Sequence, residues 1–192
     1  MHPNARKLAG ALLLLGSLQF LICMSVAETL YPNYSRAENY ISDLGMGGTA
    51  LLFNVSIVLA GIAALIAAYF LFRASGKLLL PILLALCGIG AMGVGIFPEN
   101  AGSMHTTSAF VAFFFGALAA LASAKSAPAP ISYFFALLGI VSLAALALFL
   151  SHNTFSLGAG GMERAIVYPF LIWGLLFGAL LLKAKQAGSF LA

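Results

Sequence analysis

The chain has 192 residues, 62% hydrophobic and only 7% charged, with a mean hydropathy of +1.08 and a formal net charge of +4. A soluble domain carries about 25% charged residues, so this inventory cannot cover a water-exposed surface and fits a single all-α, polytopic integral membrane domain over residues 1–192. The basic balance needs no nucleic acid, because loop lysines and arginines set membrane topology.

A polar head with Arg6 and Lys7 leads into an apolar run at 8–27. Ser25, Val26 and Ala27 imitate a signal-peptide cleavage site, but the run has the length of a full span and reads as the first transmembrane helix. A polar stretch at 28–50 follows, then apolar runs at 51–72, 78–97, 103–122, 131–150 and 165–182. Each has about 18–22 residues, enough for a hydrocarbon core of roughly 30 Å at about 1.5 Å per residue. None alternates like a barrel strand, so the expected architecture is an antiparallel bundle of six transmembrane helices. Cys23 and Cys87 both fall inside apolar runs, which argues against a disulfide framework.

Placing the N-terminus inside puts Arg6, Lys7, Arg73, Lys77, Lys125, Lys183 and Lys185 on one side and leaves Arg36 and Arg164 on the other. Both termini are therefore expected to be cytoplasmic, in a cell membrane. Under the same assignment Glu28, Glu38, Asp43, Glu99 and Glu163 all fall outside, with His105 and His152. A solvated rim facing lipid headgroups accounts for much of that.

His105 opens the fourth run and His152 closes the fifth, so both are expected at the outer membrane level near Asp43 and Glu99. Imidazoles and carboxylates there could hold zinc, and two histidines on facing helices could ligate haem. The signal is weak, because no ligand pair has helical i, i+4 spacing and no HExxH occurs. Asp43, in an Ile-Ser-Asp-Leu-Gly segment, could cap the backbone donors that open the second helix. Ser42 beside it is a nucleophile only if a base approaches from another helix. Asp43 and Glu99 are the candidate catalytic carboxylates. Glu163 and Arg164 begin the sixth run, with Tyr168 on the face of Arg164. An arginine at the hydrocarbon edge either snorkels or pairs with a buried acid. Pro169 frees a carbonyl inside the span. Asn54 and Gln19 read as polar glue between helices. The glycines at 88, 90 and 93 match GxGxxG but lie inside an apolar run, where they serve close packing rather than a dinucleotide.

Asn39–Gly45 (NYISDLG), Phe53-Asn54, Gly95–Glu99 (GIFPE), His105, Gly161–Pro169 (GMERAIVYP) and Trp173, in this order, resemble the family of six-helix archaeal and bacterial membrane proteins known as domain-of-unknown-function family 998. The resemblance spans most of the chain. It implies the six-helix fold, names no activity, and points to Asp43, Asn54, Glu99, His105 and Arg164 as residues to test together.

The resulting expectation is a multi-pass membrane protein with an outward-facing polar pocket for a lipid headgroup or small ligand. Its candidate residues are Asp43, Asn54, Glu99, His105, Glu163, Arg164 and Tyr168, with 41–48 folded over the mouth. The alternatives are a metal-dependent membrane lipid hydrolase using His105 and His152, and a haem- or quinone-binding redox protein. The expected partners are membrane lipids. The sharpest expectation is that Asp43 lies near His105 or Arg164.

Overall fold

A computed structural model describes residues 3–183. They form six long helices: α1 (Pro3–Leu30), α2 (Ala50–Ser75), α3 (Leu79–Ile96), α4 (Ser103–Ala124), α5 (Ile131–Leu150) and α6 (Gly158–Lys183). All six are long and apolar enough to cross a membrane, and no strand occurs among the described residues. The fold is that of a six-helix membrane bundle. Lys185, part of the topological count, lies outside the described residues.

Each helix packs on its chain neighbour, and α6 closes the bundle by packing on α1. Small residues permit these contacts, as membrane helices require when apolar burial does not distinguish protein from lipid. A methyl group added at Gly88 would come within 2.7 Å of the Gly61 carbonyl oxygen, and one at Gly10 within 2.7 Å of the Gly178 carbonyl oxygen. Gly90 faces Ala112 and Gly95 faces Asn54, so the glycines of α3 serve packing on α2 and α4. Gln19 ties α1 to α2 by donating to the Ser56 carbonyl at 2.8 Å.

One core region contains Leu13, Leu71, Leu84, Phe135, Trp173 and Phe177; another contains Phe20, Met24, Leu44, Phe53, Val94 and Leu171. Several polar groups inside the bundle find partners. Trp173 Nε1 donates to Ser123 Oγ at 2.7 Å, and that hydroxyl donates to the Ala120 carbonyl at 2.7 Å. Pro169 has no N–H to offer the preceding turn, and Ser142 Oγ donates nearby to the Ile166 carbonyl at 2.7 Å.

The helices extend past the apolar runs. Thus α1 runs through Glu28, and α6 starts at Gly158 rather than at Glu163. The glycines at 158, 160 and 161 form its first turn. Glu163 and Arg164 are consequently buried in the second turn instead of sitting at a helix start.

Candidate functional site

The connection between α1 and α2 is a strap, residues 31–49, held against the beginning of α6. Backbone contacts come first. The amides of Gly160 and Gly161 donate to the Ala37 carbonyl at 2.8 and 3.3 Å. A side chain at 160 would fall on the Asn39 carbonyl, so only glycine permits this approach.

Arg164 then fixes the strap from below. Its Nη1 donates to the carbonyls of Arg36 (3.0 Å), Asn39 (3.2 Å) and Gly160 (2.9 Å). Its Nη2 donates to Glu28 Oε1 at 2.6 Å and Tyr34 Oη at 2.7 Å. The Arg164 and Glu28 side chains are 7% and 3% exposed, whereas Arg36, the second cation on Glu28 at 2.8 Å, is 66% exposed. The guanidinium also lies over the Tyr34 ring, 5.4 Å from its centroid. Burial pushes the Tyr34 phenol up to about 12, against the opposing pull of the Arg164 hydrogen bond and charge. Arg164 thus pairs with a buried acid. Tyr168, its expected neighbour by helical spacing, instead packs against the apolar core.

The inner turn of the strap is fixed as closely. Asp43 Oδ2 accepts from Asn39 Nδ2 at 2.8 Å and from the Tyr40 amide at 3.1 Å. It therefore holds the turn upstream of itself instead of capping α2, whose N-cap Thr49 makes no side-chain cap bond. The Ile41 amide donates to the buried Glu163 carboxylate. Thr49 Oγ1 donates to the Leu44 carbonyl at 2.8 Å, and Asn54 Nδ2 to the Gly45 carbonyl at 3.1 Å. Asn54 is thus glue between a helix and the strap.

Below this turn lies a cavity of about 100 Å³ between the helices. Its walls are mostly apolar, among them Phe20, Phe53, Val94, Ala109, Phe113 and Leu171. Ser42, His105 and Glu163 also line it, beside Ile41. His105, from the first turn of α4, is 8% exposed, and its Nδ1 lies 2.8 Å from the Phe97 carbonyl. Because a carbonyl only accepts, Nδ1 carries the hydrogen.

Glu99 lies on the turn 99–101, which packs on the strap turn 42–45. Its carboxyl is pushed up to about 7, first by burial and then by the Asp43 hydrogen bond and charge. Asp43, Glu99 and Glu163 thus act on one another electrostatically.

The structure brings Asp43, Glu99, His105, Glu163 and Arg164 into one region, with Asn39 joining Asp43 to Arg164. His152 is exposed on the turn after α5, in the left-handed region at φ 56°. Among the described residues no group of three or more His, Cys, Asp or Glu side chains is arranged to hold a metal ion. The residues missed from sequence are Glu28 and Tyr34, the side-chain partners of Arg164. An acid in the last turn of an apolar helix was the available signal for Glu28.

A family model described as "Protein of unknown function (DUF998)" matches residues 14–180, the family whose motifs the sequence resembles. No curated protein and no solved structure matches the chain.

Proposed function

The chain belongs to that family of unknown function, and we propose that it is a cell-membrane protein that takes up an amphipathic molecule from the outer face. The apolar part enters the interhelical cavity, and the polar end stops at Ser42, His105 and Glu163 beneath the strap. In this reading the bundle is antiparallel with both termini cytoplasmic. Asn54, near the start of α2, meeting Gly95, near the end of α3, supports the first point. The excess of arginine and lysine on the side away from the strap supports the second.

The observation that carries the reading is a mostly apolar cavity whose imidazole and carboxyl groups stand beside the strap residues Ile41 and Ser42. Binding sites commonly combine apolar walls with a few convergent polar groups. Arg164 is engaged by Glu28, Tyr34 and three carbonyls, so a phosphate would have to displace established bonds to reach it. Glu163, with Asp43 and Glu99 near, favours instead a head that donates hydrogen bonds, such as a hydroxyl or an amine. This ligand reading is preferred to zinc or haem because His152 stands exposed on a different turn from buried His105.

Mass spectrometry of lipids copurified in mild detergent tests it. Ala109→Phe, which fills the cavity wall, should deplete a lipid species carried by the native protein while leaving its melting temperature within about 4 °C, the shift of roughly 1 kcal/mol. Identical lipid profiles in the two folded proteins would reject the proposal.

A further inference from the structure

We propose that Ser42 and His105 are a nucleophile and its general base, and that the amphipathic molecule is a carboxylic ester whose acyl group Ser42 accepts. The inference rests on the cavity being the ligand site.

Ser42 is distinct among the polar side chains of the strap's inner turn. Asn39, Asp43 and Thr49 all hold backbone or one another. Ser42 is 8% exposed, lines the cavity, and its hydroxyl has no hydrogen-bond partner among the described residues. Nor is that hydroxyl sealed away, since it is not among the buried unpartnered atoms. Its backbone is set on both sides: the Ile41 amide is held by Glu163, the Tyr40 amide by Asp43, and the Leu44 amide by the Ile41 carbonyl at 3.2 Å. A nucleophile needs such a fixed main chain and a free side chain.

His105 supplies what Ser42 lacks. Nδ1–H donates to the Phe97 carbonyl, so the neutral ring presents Nε2 as a lone pair, the tautomer a general base requires. It lines the same cavity, and it comes from α4, an element different from the strap. No hydrogen bond joins Ser42 to His105 in this structure. Such contacts are commonly long without substrate and tighten when the complex forms. Glu163 and Phe97 are positioning groups, the first for the backbone before Ser42 and the second for the ring.

The step balances with water or an alcohol as acceptor. Ser42 Oγ bonds to the ester carbonyl carbon while its proton passes to His105 Nε2. The bond from that carbon to the alkoxy oxygen breaks, and the alcohol leaves with the proton from His105. A water molecule or a second lipid hydroxyl then gives a proton to His105 and attacks the acyl-serine; the bond from the acyl carbon to Ser42 Oγ breaks, and His105 returns the proton to that oxygen, releasing the acid or a new ester. No change of oxidation state occurs.

The test uses the full-length chain in nanodiscs and a fluorophosphonate bearing an alkyl chain, which phosphonylates activated serines. Intact mass should show one adduct, and fragmentation should place it on Ser42. Ser42→Ala should abolish it, and His105→Gln should slow labelling by about 100-fold or more, with both variants retaining the native melting temperature. Hydrolysis of a short p-nitrophenyl ester should fall by a similar factor in H105Q. Folded native protein that stays unlabelled, or an adduct on another serine, overturns the pair. If cavity-dependent lipid still copurifies then, the binding reading stands alone; labelling at Ser42 in a protein without cavity-dependent lipid would uphold the pair and reject the lipid reading.

Discussion

Removing the carboxylate of Glu28 should loosen the whole strap, and the structure sets the scale. Arg164 and Glu28 are an ion pair at 2.6 Å with side chains 7% and 3% exposed. Deleting one partner of a buried pair leaves an uncompensated charge and costs about 3–5 kcal/mol. For a chain of this size about 1 kcal/mol corresponds to about 2–4 °C, so Glu28→Ala should lower the melting temperature by about 6–20 °C. Arg36→Ala is the internal control. It removes the other cation on the same carboxylate at a similar distance of 2.8 Å, but Arg36 is 66% exposed, and a solvated pair contributes about 0–1 kcal/mol. Its shift should stay below about 4 °C. Emission of Trp173, the single tryptophan, reports unfolding in detergent. A double-mutant cycle isolates the pair: Glu28→Gln with Arg164→Met should cost less than the sum of the singles by at least about 2 kcal/mol. Additive singles, or equal shifts for Glu28→Ala and Arg36→Ala, would refute the assignment of Arg164 as the strap's anchor.

Three further outcomes follow from individual contacts. Glu99 has its carboxyl raised from 4.5 to about 7 in the folded chain, so the folded state holds the extra proton and stability falls as pH rises through that window, levelling above it. Glu99 is partly exposed, so the loss between pH 5 and 8 should be at most about 1 kcal/mol, and melting curves of Glu99→Gln should show a flatter dependence. Ser123→Ala removes the acceptor of the buried Trp173 N–H; a cost of about 1–3 kcal/mol is expected, with a changed Trp173 emission maximum. A shift under about 0.5 kcal/mol would mean that the indole finds another acceptor. Gly88→Ala puts a methyl 2.7 Å from the Gly61 carbonyl oxygen; overpacking should cost about 1–3 kcal/mol, read as lower thermal stability, whereas Gly48→Ala, with open space at its Cβ, should be near neutral.

The six helices were legible because each apolar run has to satisfy its own backbone in lipid, so length and hydropathy suffice to find it. Where the helices end was less so. Past the hydrocarbon edge a helix continues on capping and tertiary contact, which is why Glu28 and the glycines at 158, 160 and 161 turned out helical. Gathering the site was half legible. Asp43, Glu99, His105, Glu163 and Arg164 could be grouped from their positions at run ends, but partner choice could not. Helical spacing offered Tyr168 to Arg164, and the fold supplies Tyr34, a residue 130 positions away.

That difference alters what the arginine does. A free guanidinium at this level would be the natural anchor for a phosphate headgroup. Held through both terminal nitrogens by Glu28, Tyr34 and carbonyls at 36, 39 and 160, it works as the strap's fastening. Two groups left over beside the mostly apolar cavity are the Ser42 hydroxyl, on the strap, and His105 Nε2, on α4. Structural demands consume the strong charges first, because a buried unpaired charge costs more than any weak ligand contact returns. What remains unengaged beside a cavity is therefore the better guide to function than the most conspicuous charge in the sequence.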